Sequence, residues 1–171
     1  MRLEFEAFYE EYYSSIYNYV YFTTREPDAA EDLTGTIFEK IFRNQDQFDE
    51  EKSSLATWVY AIARNQITDH YRTGSKKSRL FSQAPLPEEL PDQTPGPEEK
   101  LLADHRQELL HGQLALLPQR DREVLVLRYY GNCSSKEIAT MMKTTEAHIN
   151  VVVHRALRKL KKGIMEHQVD L

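Results

Sequence analysis

The chain has 171 residues, 40% hydrophobic and 29% charged, with a formal net charge of −5. That length supports one ordinary domain or two small ones, and no apolar run approaches the ~18 residues of a membrane helix. A single cysteine, Cys133, excludes an intramolecular disulfide and points to a reducing cytoplasm, and the acidic, amphipathic start MRLEFEAFYEEYY does not read as a signal peptide.

Residues 4–23 carry apolar side chains at helical spacing: Phe5, Phe8, Tyr9, Tyr12, Ile16, Tyr19 and Val20. A second helix is predicted from Asp28, with Leu33, Ile37, Phe38, Ile41 and Phe42 as its stripe. The polar run 44–53 reads as a loop. Ser53 or Ser54 then starts a third helix, in which Leu55, Trp58, Val59, Ile62, Ala63, Ile67 and Tyr71 point wholly or partly inward. No stretch alternates as a strand does, so the first module, 1–75, is all-α.

Residues 74–97 change character, with the linker proper over 76–97. Prolines at 85, 87, 91, 95 and 97 are too dense for a helix, and the surrounding composition cannot build a core. This is a proline-rich flexible linker. Some 24 residues at ~3.3 Å each reach ~80 Å when extended, enough to bridge two turns of DNA at ~34 Å per turn.

Helical spacing returns at Glu98 and continues through the second module, 98–171. Within it, 116–160 reads as a helix, a short helix, a tight turn and a basic helix, which is a helix-turn-helix. Ser134 and Glu137 have capping-box spacing, and Thr145 suits the cap of the last helix, each cap being worth ~1 kcal/mol. Ala139 is the small residue where two helices must touch. Lys143 occupies a turn position that favours glycine, at some backbone cost. Ile149 and Val153 are expected inward, and Asn150 and Val151 outward. The fold class is therefore all-α, with two small helical domains joined by the linker and the second a helix-turn-helix.

The acidic net charge looks wrong for a nucleic-acid binder, but its distribution does not. Residues 1–60 hold 5 basic and 13 acidic side chains, net −8, and residues 81–112 are net −5. Residues 61–80 and 113–171 are each net +4. Two basic segments in an acidic chain mark phosphate-contacting surfaces. In the third helix and just beyond it, Arg64, Asn65, Asp69, Arg72, Lys76 and Lys77 are the candidates. Alone, that helix reads as a core helix with a solvated face. Beside a helix-turn-helix, two basic surfaces joined by a long linker suit two separated DNA sites.

Four segments in order resemble the extracytoplasmic-function (ECF) group of sigma factors within the sigma-70 family: DAAEDLTGTIFEKIFR, ATWVYAIARNQITDHYR, LLPQRDREVLVLRYYGNCSSKEIA and INVVVHRALRKLKK. The resemblance covers nearly the whole chain. It implies a promoter-specificity subunit without enzyme activity, whose partners are core RNA polymerase, promoter DNA and an anti-sigma factor, answering stress or an envelope signal. It also implies a free monomer with no cofactor, no metal and no membrane insertion. The second helix matches the polymerase-binding segment, through Asp28, Glu31, Asp32, Leu33 and Phe38. Relatives often carry a Gln-Glu or Gln-Asp pair where this chain has Gly35 and Thr36.

The resemblance places −10 reading on the third helix and on the loop 44–54, where Phe48 is the sole aromatic residue near a flipped base. Primary sigma factors have two adjacent tryptophans where this chain has Trp58 and Val59. That implies weaker intrinsic melting and greater dependence on a good promoter match, with Trp58 in the core. For the −35 element the candidates are Thr145, His148, Asn150, Val151, His154, Arg155 and Arg158. Asn can bond adenine at two atoms, and an apolar side chain such as Val151 or Val152 can touch a thymine methyl. Arg155 and Arg158 suit phosphates.

Two other classes remain open on residues alone. A conventional one-component or response-regulator transcription factor would use 1–75 for sensing or dimerisation. A helical enzyme or metal-binding bundle lacks any ligand cluster, since His105 and His111 have no metal spacing with Cys133, and Cys133 itself reads as a small buried apolar residue.

Overall fold

The computed structural model describes residues 4–74 and 97–169, and every regular element among them is helical. The N-terminal module is a bundle of α1 (Phe5–Thr24), α2 (Pro27–Asn44) and α3 (Leu55–Thr73). A 3-10 turn, Gln45–Gln47, leads into the α2–α3 loop. The C-terminal module comprises α4 (Pro97–Leu116), α5 (Gln119–Tyr129), α6 (Ser135–Met141) and α7 (Glu146–Val169).

Local chemistry sets most boundaries. Arg25 closes α1 in the left-handed region at φ 59°, its N–H bonded to the Tyr21 carbonyl. Pro27 then occupies the first turn of α2, where its missing N–H would have had no helical partner. Ser54 caps α3 by accepting the Thr57 N–H at 3.2 Å. A Cβ at Gly35, inside α2, would meet nothing within 4 Å, and the residue is exposed, so its effect there is only on helix propensity.

One apolar core runs through both modules. Within the N-terminal bundle it gathers Phe8, Ile16, Tyr19 and Val20 of α1, Leu33, Ile37, Phe38 and Ile41 of α2, and Val59, Tyr60, Ala63 and Ile67 of α3. Within the C-terminal module it continues through Val124–Leu127, Ile138, Ile149, Val152 and Ala156. The join is made by α1 on α5 and by α3 on α6. Phe22 packs on His111 at 4.8 Å and on Tyr130 at 5.4 Å between ring centroids. Burial lowers the His111 pKa, so the ring sits there as a neutral aromatic. Tyr19 and Tyr60 meet edge-on at 5.4 Å, both fully buried. Gly131 lies against Tyr60 so closely that a Cβ would stand 3.0 Å from the phenol ring, which explains the glycine at that turn. The linker separating the two modules in sequence gives no sign of this packing.

Helix α5 is buried along seven consecutive residues, Asp121–Leu127, because α1 covers one side and α7 another. Three of the seven are charged, and each has a partner, as a buried charge requires. Asp121 receives Arg155, Arg122 donates to the carbonyls of Ala115 (3.1 Å) and Leu117 (3.3 Å), and Glu123 accepts from Tyr19 and Arg64.

Candidate nucleic-acid and polymerase interfaces

The helix-turn-helix is built by its caps. The Ser134 hydroxyl accepts the Glu137 N–H at 3.2 Å, and Glu137 returns a carboxylate oxygen to the Ser134 N–H at 2.7 Å. The Glu137 carboxyl is buried to a degree that opposes ionisation, but hydrogen bonds from Ser54 and Ser134 outweigh this and lower its pKa. Lys143 makes the turn at φ 53°, the left-handed conformation expected there. The Thr144 N–H closes back on the Ala139 carbonyl at 2.9 Å, and Thr145 caps α7 by accepting the His148 N–H at 3.2 Å. Thr145 therefore has a structural task at the start of the helix.

Along α7 the buried row is Ile149, Val152 and Ala156. Val152 thus leaves the set of thymine-methyl candidates, and Val153 is only half-buried: the inward row is set one residue earlier than expected beyond Ile149. His148, Asn150, Val151, His154 and Arg158 are exposed, Val151 by 60%. The Ser135 hydroxyl donates to the Asn150 side-chain oxygen at 2.6 Å, which orients the amide from the preceding helix. Arg158 has no side-chain partner among the described residues. Arg155 differs: it grips Asp121 with two nitrogens, at 2.6 and 3.2 Å, tying α7 to the first turn of α5. Its guanidinium is engaged by Asp121 while the side chain stays half-exposed, so it is not a free phosphate contact.

On α3, Asn65 and Arg72 are exposed and Asp69 is half-buried. Their spacing sets them on one face, one and two turns apart, and Arg72 pairs with Asp69 at 3.3 Å. Arg64 is not free. Its Nε donates to Glu123 of α5 at 3.0 Å. Lys76 and Lys77 lie outside the described residues. In the loop before α3, Asp49 accepts the Glu51 N–H at 3.0 Å and pairs with Lys52 at 2.9 Å, so a local turn shapes the segment. Phe48 rests against Trp58, ring centroids 5.4 Å apart, and both are half-buried. Trp58 is therefore the partner of the loop aromatic rather than a fully buried core residue.

The surface of α2 corrects two assignments. Leu33 and Phe38 are buried, 6% and 3% exposed, and pack inside the bundle, Phe38 against Phe8, Tyr9 and Tyr13. They support the helix without being available to a partner. Asp28, Glu31 and Asp32 are exposed, as is Phe42 at 51%. Phe42 was legible as part of the apolar stripe, but its exposure was not.

A model of sigma-70 region 2 matches residues 8–77, and one of sigma-70 region 4 matches residues 114–162. The chain is 31% identical to the RNA polymerase sigma factor YlaC of Bacillus subtilis over 166 residues, 96% of this chain and 94% of that one. The chain belongs to the sigma-70 family. It is an ECF sigma factor, a transcription-initiation subunit and not an enzyme. Another relative, the ECF sigma factor SigM of B. subtilis, is 26% identical and covers 91% of this chain and 92% of itself. Among solved structures, the fold is like that of RpoE from Bartonella quintana, crystallised with the anti-sigma factor NepR. The TM-score is 0.74 at 18% identity, over 95% of this chain and 97% of that one. CnrH, solved with the cytosolic domain of CnrY, gives 0.61 at 18% identity, over 92% and 85%.

Two residues of the structure escaped the sequence reading. Glu123 sits in the apolar run REVLVL, and a lone carboxylate there is the one signal that could have marked it. Tyr19 looked like any core aromatic. Cys133 is buried, and burial pushes its thiol up to about 12, so it is a thiol and not a thiolate at neutral pH.

Proposed function

We propose that this sigma factor directs core RNA polymerase to its promoters through three separate faces. The observation that carries the proposal is the exposed row of α7 beginning at its capped N-terminus: His148, Asn150, Val151, His154 and Arg158 stand opposite the buried Ile149, Val152 and Ala156. A helix held that way presents its first turns to a major groove. Asn150 and Val151 then read −35 base edges, and Arg158 holds phosphate. The α3 face with Asn65 and Arg72, together with the loop at Phe48 and Trp58, serves the −10 element. Arg64, paired here with Glu123, and Lys76 and Lys77, which lie outside the described residues, are the further −10 candidates. The acidic edge of α2, Asp28, Glu31 and Asp32, docks on the polymerase clamp with Phe42 as its apolar contact.

We take the domain limits as 1–75 and 98–171, with a linker over 76–97, so that each reading surface lies on its own module. The linker's reach matches the spacing of two promoter elements. The protein acts in the cytoplasm, as a monomer when free, under an anti-sigma factor that answers stress or an envelope signal. The sigma factor RpoE, solved in complex with the anti-sigma factor NepR, supports that reading. Among the described residues no helix is long and apolar enough to cross a membrane.

Run-off transcription on fragmented genomic DNA with purified core polymerase tests the whole reading. Discrete starts that depend on this chain are expected. Asp32→Ala combined with Phe42→Ala is expected to weaken core binding while thermal melting stays near wild type. Core affinity unaffected by that pair would remove α2 as the docking face.

A further inference from the structure

The first helix of the helix-turn-helix holds a side chain that projects from the second. The Ser135 hydroxyl, at the start of α6, donates to the Asn150 side-chain oxygen at 2.6 Å. Ser135 is buried, 9% exposed, whereas Asn150 is exposed. The anchor therefore lies on the protein side, and the amide stands at the surface. The two residues are 15 positions apart, and α6 packs along α7, so the bond depends on the helix-turn-helix itself.

An amide has two unlike ends: its oxygen accepts and its NH2 donates. The contact length identifies the end that meets Ser135. At 2.6 Å it fits an O–H···O bond, which spans about 2.5–3.0 Å, and it is shorter than the about 2.7–3.2 Å of an N–H···O bond. Oδ1 is thus turned toward α6. Nδ2, on the other arm of the amide, has no partner among the described residues. An exposed asparagine held in one orientation loses less freedom when it meets a ligand.

Base edges in the major groove divide along the same line. Guanine shows two acceptors there, N7 and O6, while adenine shows an acceptor at N7 and a donor at N6. An asparagine that bridges adenine must aim its oxygen and its nitrogen together at one edge. With Oδ1 bonded to Ser135, the amide enters the groove with its NH2 leading, and that end suits guanine.

We propose that Ser135 is a positioning residue for promoter reading, fixing the Asn150 amide with its donor end toward DNA, so that one position of the −35 element is read as guanine and not adenine. The proposal rests on the assignment of α7 to the −35 element. Ser135 touches no base and acts through Asn150. Without its hydroxyl the amide is free to turn, and adenine becomes as good a partner as guanine.

The test uses the full-length chain with core RNA polymerase, transcribing a library with all four bases at each −35 position. The position at issue is the one whose preference Asn150→Ala changes. There the wild type is expected to favour guanine over adenine by about tenfold. Ser135→Ala is expected to bring that ratio within about twofold of unity, and Ser135→Thr, which keeps a hydroxyl, to restore it. The capping box is untouched by either change, because Ser134 and Glu137 form it. Asn150→Asp has acceptors only, and its preference is expected to move to cytosine, whose N4 amino group donates.

A wild type that favours adenine at that position overturns the donor-outward orientation. If Ser135→Ala lowers all promoters alike and leaves the ratio intact, the positioning role is overturned and Ser135 is structural. If Ser135→Ala melts more than about 10 °C below wild type, Asn150→Asp carries the test, because residue 150 is exposed; an Asp variant that still favours guanine counts against the proposal. Failure of the wider reading is separable. It would appear as an Asn150→Ala chain with altered preference at no position, whereas failure of this proposal alone leaves an altered position that Ser135→Ala does not move.

Discussion

Helices α5 and α7 lie side by side in the same module and both carry charged side chains, yet they use them in opposite ways. In α5, Asp121, Arg122 and Glu123 are all buried, and each is matched to a partner on another element. In α7, Arg158 and Lys161 face solvent, and only Arg155 and Lys159 turn back toward Asp121. A charged residue in a short helix is thus no guide to surface. What decides is whether another element covers it. Helix α5 is covered twice, by α1 and α7, because the two modules close on one another. Helix α7 packs against α4, α5 and α6 and still keeps an exposed face.

The largest expected effect breaks the buried side of this contrast. Leu127→Ala, at a fully buried position of α5, should cost about 2–5 kcal/mol through lost burial and a residual cavity. Urea denaturation reads it directly. A loss under 1 kcal/mol would mean that α5 is less enclosed than its burial indicates.

The exposed side is sharpened by two substitutions on α7. Asn150→Ala should change −35 base preference, by about 1–3 kcal/mol at a single position. Transcription from a library of −35 variants shows it. A uniform drop across the library would make Asn150 structural, through its bond from Ser135. Arg158→Ala should weaken all promoters alike and reduce the salt slope by about one unit.

The smallest effect concerns the helix-turn-helix cap at the edge of α6. Hydrogen bonds lower the Glu137 pKa below the ordinary value of 4.5. A lowered carboxyl pKa stabilises the folded state fully above the unfolded value, and that stabilisation fades as pH falls through the folded value. The melting-temperature gap between wild type and Glu137→Gln should therefore be constant from pH 7 to about pH 5 and shrink below it. A gap that widened in acid would reverse the sign of the effect.

Much of this was legible along the chain. Helical spacing located α1, α2 and α3. Ser54, the Ser134–Glu137 box and Thr145 announced their caps, because capping is a local exchange between a side chain and an N–H two or three residues away. Lys143 in the left-handed turn followed from the same logic. The inward row of α7 was legible only in part: Ile149 was right, but three successive valines left periodicity free to slip by one residue, and packing chose Val152. Leu33 and Phe38 belonged to an apolar stripe, and a stripe alone does not separate a helix's core residues from a face offered to a partner.

By itself, then, the sequence determined an all-helical protein of two modules, a capped helix-turn-helix and two basic segments, since each depends on neighbours within a turn or two. Only the tertiary structure decided that the modules pack together, that Phe42 rather than Phe38 is exposed on α2, that Arg155 is held by Asp121, and that Arg64 meets Glu123. Those outcomes join residues 34 to 104 positions apart. Their partners are selected by which helix faces come to rest against each other, and no local periodicity carries that information.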